Sequence, residues 1–206
     1  VIIRNREGYC GFIRESVRGL HNPFSVGFFS DYRYIKMAEE HVKRFFGEMT
    51  GERETPTLVY LGSSKQAPEE YENVEKTEAA YLELLNTRHD REIGAGSTLW
   101  GIHKDDIEIL LNDKPARAFA SQGQQRSLAL SLKLAEGEVC ATVCGEKPVF
   151  LFDDVFSELD EQRRKNLLRE IADRQIIITC CDRSECVGFT DNEIEVSGGR
   201  YVSSYR

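Results

Sequence analysis

Two adjacent carboxylates, Asp153 and Asp154, close an apolar run at residues 148–152. A continuous apolar run of this kind is typical of a parallel strand buried on both faces. The carboxyl ends of such strands form the sheet edge at which α/β proteins bind their ligands. The pair is therefore placed for ligand chemistry, and the plainer alternative is that both residues cap a helix or a turn.

A second candidate is the segment Ala-Ser-Gln-Gly-Gln-Gln-Arg at residues 120–126. Ser121 can cap the helix that follows, and Gln124 three residues later completes a capping box. Gly123 keeps the first turn free of side chains, so an anion can approach backbone N–H groups that the helix dipole also makes attractive. Taken alone, the segment fits an ordinary capped core helix equally well.

The helix after Ser121 must be distinguished from a strand, because leucines alternate at residues 128–134. The run from 122 to 138 contains no proline and no β-branched residue, and it is rich in Gln, Leu, Ala, Lys and Glu. These are strong helix formers. The composition therefore predicts a helix.

The elements around Asp153 form a recognisable order. The strand at 148–152 is followed by a helix that opens at residues 157–160, and then by an apolar strand at 175–179. Strand, helix and strand in this order predict a right-handed βαβ unit. The chain closes with residues 193–202, whose Ser-Gly-Gly turn predicts a hairpin.

The first half of the sequence has weaker signals. Apolar spacing predicts a helix over 31–46 that stops at Gly47 or Gly51. A short strand is expected at 57–61, and an acidic helix with a solvated charged face at 68–86. No element can be assigned to residues 1–30.

Composition limits the class of protein. The 206 residues are 40% hydrophobic, enough for a buried core, and no apolar run is long enough to cross a bilayer. Six cysteines without a signal peptide indicate a reduced, cytoplasmic setting. The net charge of −8 argues against a basic, stand-alone DNA binder, although it leaves DNA contact by a larger assembly open.

Four segments together resemble one family. Residues 121–126 resemble the ABC signature in the form typical of RecF proteins, 149–154 resemble their Walker B strand, and 157–160 resemble their D-loop. Residues 98–108 are similar to a RecF stretch of the form Gly-Pro-His-Arg-Asp-Asp. All four stand in family order.

The resemblance implies roles for individual residues. Asp153 would hold the Mg²⁺ of bound ATP, and Asp154 would be the catalytic base that orients the attacking water. Ser157 and Asp160 would belong to the contact between two subunits. The signature residues would bind ATP held by the opposite subunit; they are Ser121, Gln122, Gly123 and Gln124.

The resemblance implies an α/β fold: the C-terminal part of an ABC-type ATPase head, with mostly parallel strands, helices and a terminal hairpin. Residues 94–206 would form this head lobe, and residues 1–93 part of a helical arm lobe with a short strand. The Walker A pattern Gly-x-x-x-x-Gly-Lys-Ser/Thr occurs nowhere in the sequence. We therefore expect the chain alone to hydrolyse no ATP.

The implied function is ATP-dependent DNA binding in recombinational repair and replication. Partners would be DNA at gaps or single-strand/double-strand junctions, a second copy joined through ATP, and other recombination mediator proteins, with no membrane. Hydrolysis would release the dimer. Two alternatives remain: a non-catalytic interaction module, and the head of another SMC-like or defence ATPase.

Two further groups of residues could bind a metal. His103, Asp105 and Asp106 are close in sequence, although the carboxylates fit the opening of a strand or turn better. Zinc binding by cysteines is the alternative, but the spacing is not that of paired Cys-x-x-Cys motifs, and free buried thiols are favoured. The cysteines are Cys10, Cys140, Cys144, Cys180, Cys181 and Cys186.

Overall fold

The computed structural model describes residues 23–51, 53–66, 68–182 and 192–205. The chain divides between Lys147 and Pro148 into two compact units. The boundary between lobes expected at residues 93 and 94 stays a prediction.

The first unit is organised on a long helix, α1 (Pro23–Thr50). Pro23 suits its first position, where the missing N–H has no partner to lose and φ is already helical. The helix thus begins well before the expected Asp31, in a stretch to which the sequence assigned no element. It ends before Gly51, which adopts a left-handed φ of +75°. Of the two predicted stops, Gly51 is confirmed.

A three-stranded antiparallel sheet lies in the same unit. The predicted strand is confirmed as β1 (Pro56–Leu61), which pairs along its length with β2 (Asp106–Leu111). The short β3 (Lys114–Pro115) returns along the end of β2. Asn112 and Asp113 connect them with φ values of 49° and 62°, as a two-residue hairpin turn requires.

The acidic helix is shorter at its start and longer at its end than predicted. Residues Pro68–Glu72 form a 3₁₀ turn, and α2 (Val74–Ala95) follows. Asn73 caps its first turn and Gly96, at φ +62°, ends it. Thr77 and Tyr81 are its buried residues, so most of its charged side chains are solvated, as expected.

The segment at residues 122–138 is helical, which confirms the prediction from composition. A single turn, α3 (Ala116–Phe119), precedes α4 (Gln122–Cys144), and α4 packs against α1. A cluster of buried side chains draws on both helices, β1, α2 and the 3₁₀ turn. Its members are Tyr32, Ile35, Ala38, Val42, Leu58, Tyr60, Tyr71, Tyr81, Ala135 and Val139.

The second unit contains the predicted βαβ arrangement. Strand β4 (Phe150–Asp153) pairs in parallel with β5 (Ile176–Thr179), and α5 (Glu161–Glu170) connects them. A hairpin of β6 (Glu193–Ser197) and β7 (Arg200–Tyr205) confirms the predicted terminal element.

The expectation that the strand before Asp153 is buried on both faces is wrong for the residues described. Phe152 is buried, but Leu151 is 59% exposed and its neighbour Ile177 is 53% exposed. Because side chains alternate along a strand and these two lie opposite each other, one face of the β4–β5 pair is apolar and open. Within the described part of the chain, no helix is long and apolar enough to span a membrane.

Candidate functional site

The signature-like segment forms the N-terminus of α4. Ser121 Oγ accepts a hydrogen bond from the Gln124 N–H at 3.3 Å, and the Ser121 N–H donates to Gln124 Oε1 at 2.6 Å. This is the capping box predicted from the sequence. Gln122 and Gly123 form the first turn, where Gln122 is exposed and Gly123 half-buried. All four signature residues therefore lie at one helix end.

A carboxylate that the sequence did not indicate lies beside this helix end. Glu54, just before β1, accepts a hydrogen bond from Gln124 Nε2 at 2.5 Å. The Gln124 side chain thus uses its oxygen to cap α4 and its nitrogen to bind the segment that leads into β1. The 70-residue separation in sequence explains why no local pattern predicts the pair.

The two adjacent carboxylates lie at the carboxyl end of the parallel pair. Asp153 is the last residue of β4 and stands opposite Thr179, the last residue of β5. Thr179 Oγ1 donates to Asp153 Oδ1 at 2.5 Å. The Asp154 N–H donates to both Thr179 O and Thr179 Oγ1, each at 3.1 Å. One residue of β5 therefore contacts both members of the pair.

Asp154 has a left-handed backbone with φ +51°. This conformation costs a non-glycine residue roughly 1–2 kcal/mol, and Asp is among the residues that tolerate it best. The bonds from its N–H to Thr179 hold the conformation in place. The chain turns away from the sheet at the residue expected to be the catalytic base.

The D-loop-like residues have structural contacts. Ser157 Oγ donates to the carbonyl of Asp154 at 2.9 Å. Asp160 caps α5 by accepting from the Arg163 N–H at 2.9 Å, and its second oxygen lies 3.4 Å from Arg163 Nη1. Both residues are exposed. Their side chains shape the turn after β4, and a role in subunit contact stays a prediction.

The donor set around Asp153 fits one part of a Mg²⁺ site. Among the described residues, no group of three or more His, Cys, Asp or Glu side chains is arranged to hold a metal ion. One carboxylate oxygen of Asp153 accepts a hydrogen bond from Thr179, and no described donor contacts the other. Mg²⁺ is usually bound through one or two carboxylates together with phosphate oxygens and water. The arrangement thus fits a nucleotide-bound ion rather than a complete protein metal site.

Asp105 is a hydrogen-bonding centre in the first unit. Its Oδ1 accepts from the Ser63 N–H at 2.8 Å and from Ser63 Oγ at 2.6 Å. Its Oδ2 accepts from the hydroxyls of Tyr60 and Tyr81. Burial, and secondarily the bond to Asp105, raise the pKa of Tyr81 far above its ordinary value, so this hydroxyl stays protonated and donates. Asp105 thus ties β1, the following turn and α2 together.

The neighbours of Asp105 have other partners. His103 Nε2 lies 3.4 Å from the carbonyl of Thr98, and Asp106 Oδ1 accepts from the Ile107 N–H at the start of β2. The three side chains do not converge on a common point. The geometry supports the alternative in which this stretch opens a strand, and it gives the metal alternative no support.

The described cysteines form no disulfide, and the expectation that they are buried is wrong for them. Cys140 and Cys180 are half-buried, whereas Cys144 and Cys181 are exposed. The sulfurs of Cys140 and Cys144 lie 3.9 Å apart on α4. Partial desolvation, followed by the contact with Cys144, raises the pKa of the Cys140 thiol. Cys10 and Cys186 lie outside the described residues.

Three contacts of the candidate sites were not predicted. They are Glu54 with Gln124, Thr179 with Asp153, and Ser63 with Asp105. Only the contact between Thr179 and Asp153 had a usable signal in the sequence, because Thr179 ends the strand that is expected beside the strand carrying Asp153. A polar residue at that place is a candidate neighbour of the carboxylates.

Known proteins resemble most of the chain. It is 40% identical over 139 residues to the DNA replication and repair protein RecF of Latilactobacillus sakei, covering 66% of this chain and 36% of that protein. It is 42% identical over 148 residues to the protein of the same name from Synechocystis, covering 71% and 37%. The chain thus spans about two fifths of the length of such curated relatives. No family model matches the chain.

Solved structures agree with these relatives. The structure of the recombination mediator protein RecF-ATPrS in the RecFOR pathway matches 96% of this chain and 54% of its own, with a TM-score of 0.67 and 28% identity. The corresponding RecF-ATP structure matches with a TM-score of 0.62 and 29% identity. The α/β fold is that of part of an ABC-type ATPase head. The chain belongs to the RecF family.

Proposed function

We propose that this chain supplies the C-terminal ATPase-head portion of an ATP-dependent DNA-binding protein of recombinational repair and replication. The observation that carries the proposal is the parallel β4–β5 pair, with Asp153 and Asp154 at its carboxyl edge. Ligands of open α/β sheets bind at this edge. The RecF relatives, one of which has a solved structure with ATP, support the nucleotide assignment.

Within the proposal, Asp153 binds the Mg²⁺ of ATP and Asp154 orients the attacking water. Asp153 has an oxygen without a described donor, which suits a hard cation. Asp154 is exposed and lies one residue beyond the strand, on a backbone held by Thr179. The bound ion would supply charge neutralisation to the phosphates. The chain supplies the carboxylates that place it.

The end of α4 would bind the phosphates of ATP held by a second copy. Its first turn carries Gly123, and the backbone N–H groups of a helix N-terminus attract anions. Ser121, Gln122 and Gln124 would complete this contact. Exposed Ser157 and Asp160 would lie in the same dimer interface. ATP would thus drive formation of a homodimer, and ATP hydrolysis would cause the dimer to dissociate.

DNA at gaps or single-strand/double-strand junctions is the proposed substrate, with other recombination mediators as partners. The net charge of −8 makes this chain an unsuitable stand-alone DNA surface, since DNA contacts need clustered Lys and Arg. DNA would be bound by a larger assembly to which the chain contributes. A cytoplasmic location is part of the same proposal.

Nucleotide binding tests the proposal. Calorimetry with ATP and Mg²⁺ is performed on this chain and on the full-length gene product. Because the sequence has no Walker A pattern, we expect no binding and no hydrolysis by the chain alone. A full-length product that includes such a loop should bind ATP, and Asp153→Asn should weaken binding. Asp90→Asn, an exposed carboxylate on α2, is the control and should change nothing.

A non-catalytic interaction module is the second candidate function. It is favoured by one observation: the side chains of Ser121 and Gln124 each accept from the other residue's backbone N–H, and Gln124 also donates to Glu54, so both side chains have partners within the chain. Failure of the full-length product to bind ATP would support this candidate and refute the first. Tight binding by the chain alone would refute the assigned roles of Ser121 and Asp153.

A further inference from the structure

The hydroxyl of Thr179 contacts both carboxylate residues of the candidate site. It donates to Asp153 Oδ1 at 2.5 Å and accepts from the Asp154 N–H at 3.1 Å. We propose that Thr179 is a positioning residue, which orients the Asp153 carboxylate for a nucleotide-bound Mg²⁺ and fixes the backbone that presents Asp154. This inference rests on the proposed function and adds a residue to which no role had been given.

The chemistry of a hydroxyl makes this double contact selective. A threonine hydroxyl has one hydrogen to donate and two lone pairs that accept. Its hydrogen points to Asp153, so the Asp154 N–H must be the donor in the second contact. One side chain therefore determines the positions of two neighbouring groups.

The contact restricts a carboxylate that would otherwise rotate. The terminal torsion of Asp is broad, and Asp153 is exposed at the end of its strand. With Oδ1 bound to Thr179, the direction of Oδ2 is fixed relative to the sheet edge. Groups that hydrogen-bond metal ligands in this way orient the ligand, and their loss typically lowers metal affinity by about 10- to 100-fold.

Thr179 also supports the turn at Asp154. The Asp154 N–H is shared between the carbonyl and the hydroxyl of Thr179, while Asp154 holds a left-handed φ of +51°. Loss of the hydroxyl leaves the carbonyl as the remaining acceptor. The Asp154 N–H would then have one acceptor instead of two.

A role in the site can be separated from a role in folding. Thr179, Asp153 and Asp154 are all exposed, so water can replace the lost hydrogen bonds in the unliganded protein. Valine keeps the shape and β-branching of threonine, which suits a strand. Thr179→Val should therefore leave thermal unfolding of the protein nearly unchanged.

The test compares ATP affinity with Mg²⁺ and with EDTA in the full-length gene product. We expect Thr179→Val to reduce the Mg²⁺-dependent gain in affinity by about 10- to 100-fold, and to leave affinity in EDTA unchanged. Thr179→Ser should keep the Mg²⁺-dependent gain in affinity, because serine also has a hydroxyl. Thr142→Val is the matched control, since the Thr142 hydroxyl donates to the Glu138 carbonyl of its own helix.

Each of the following results would overturn the inference. If Thr179→Val keeps the full Mg²⁺-dependent gain in ATP affinity, this inference is refuted and the proposed function is unaffected. An equal loss with and without Mg²⁺, or a loss of folding, would assign Thr179 to the fold instead. Absence of any Mg²⁺-dependent ATP binding in the unaltered protein would refute the proposed function, and this inference with it.

Discussion

Removal of the Asp105 carboxylate should destabilise the first unit strongly. Asp105→Ala deletes the acceptor of four hydrogen bonds, two of them from the hydroxyls of Tyr60 and Tyr81. These tyrosines are 6% and 2% exposed. A buried donor left without a partner costs about 1–3 kcal/mol. Because Asp105 itself is half-buried and water can enter, we expect a loss of about 3 kcal/mol in the free energy of unfolding.

Urea denaturation followed by tryptophan fluorescence measures this loss. Trp100 is the one tryptophan in the sequence and belongs to the first unit, so its signal reports that unit. Asp106→Ala is the matched control: Asp106 is exposed and accepts from the adjacent Ile107 N–H, so its loss should be below about 0.5 kcal/mol. Equal losses in the two variants, or less than about 1 kcal/mol for Asp105→Ala, would contradict the assignment of Asp105 as a hydrogen-bonding centre.

Three further predictions use the same unfolding assay. Gly62→Ala would place a Cβ 2.7 Å from Cζ of buried Tyr71 and should cost about 1–3 kcal/mol, whereas Gly94→Ala on α2 meets open space and should add roughly 0.5–1 kcal/mol. Ser121→Ala removes the α4 cap and should cost about 1 kcal/mol. Because the fold raises the pKa of Tyr81, the folded state favours the protonated hydroxyl. The contribution of Tyr81 to the free energy of unfolding is therefore complete below about pH 10, the pKa of an unfolded tyrosine, and declines as the pH rises above it. Tyr81→Phe should abolish this decline.

Local signals predicted the elements that carry the candidate sites. The capping box at Ser121 and the lack of β-branched residues after it identified α4 against its alternating leucines. The apolar runs that end at Asp153 and Thr179 identified the parallel pair. Such signals suffice because capping and propensity act within a few residues.

Burial was predicted less well than secondary structure. An apolar run at residues 148–152 indicated a strand covered on both faces, yet Leu151 is exposed. Likewise, Cys144 and Cys181 are exposed rather than buried. Hydrophobicity shows that a side chain favours burial, but whether a partner surface covers it depends on the rest of the fold.

The sequence by itself determined the order of elements from α4 to the terminal hairpin, the capped end of α4 and the place of Asp153 and Asp154 beyond a strand. Tertiary structure alone decided which distant groups meet there: Glu54 with Gln124, and Thr179 with Asp153. The reason is physical. A cap or a strand end is formed by neighbours in the chain, whereas a hydrogen bond across 26 or 70 residues exists only after strands have paired and helices have packed.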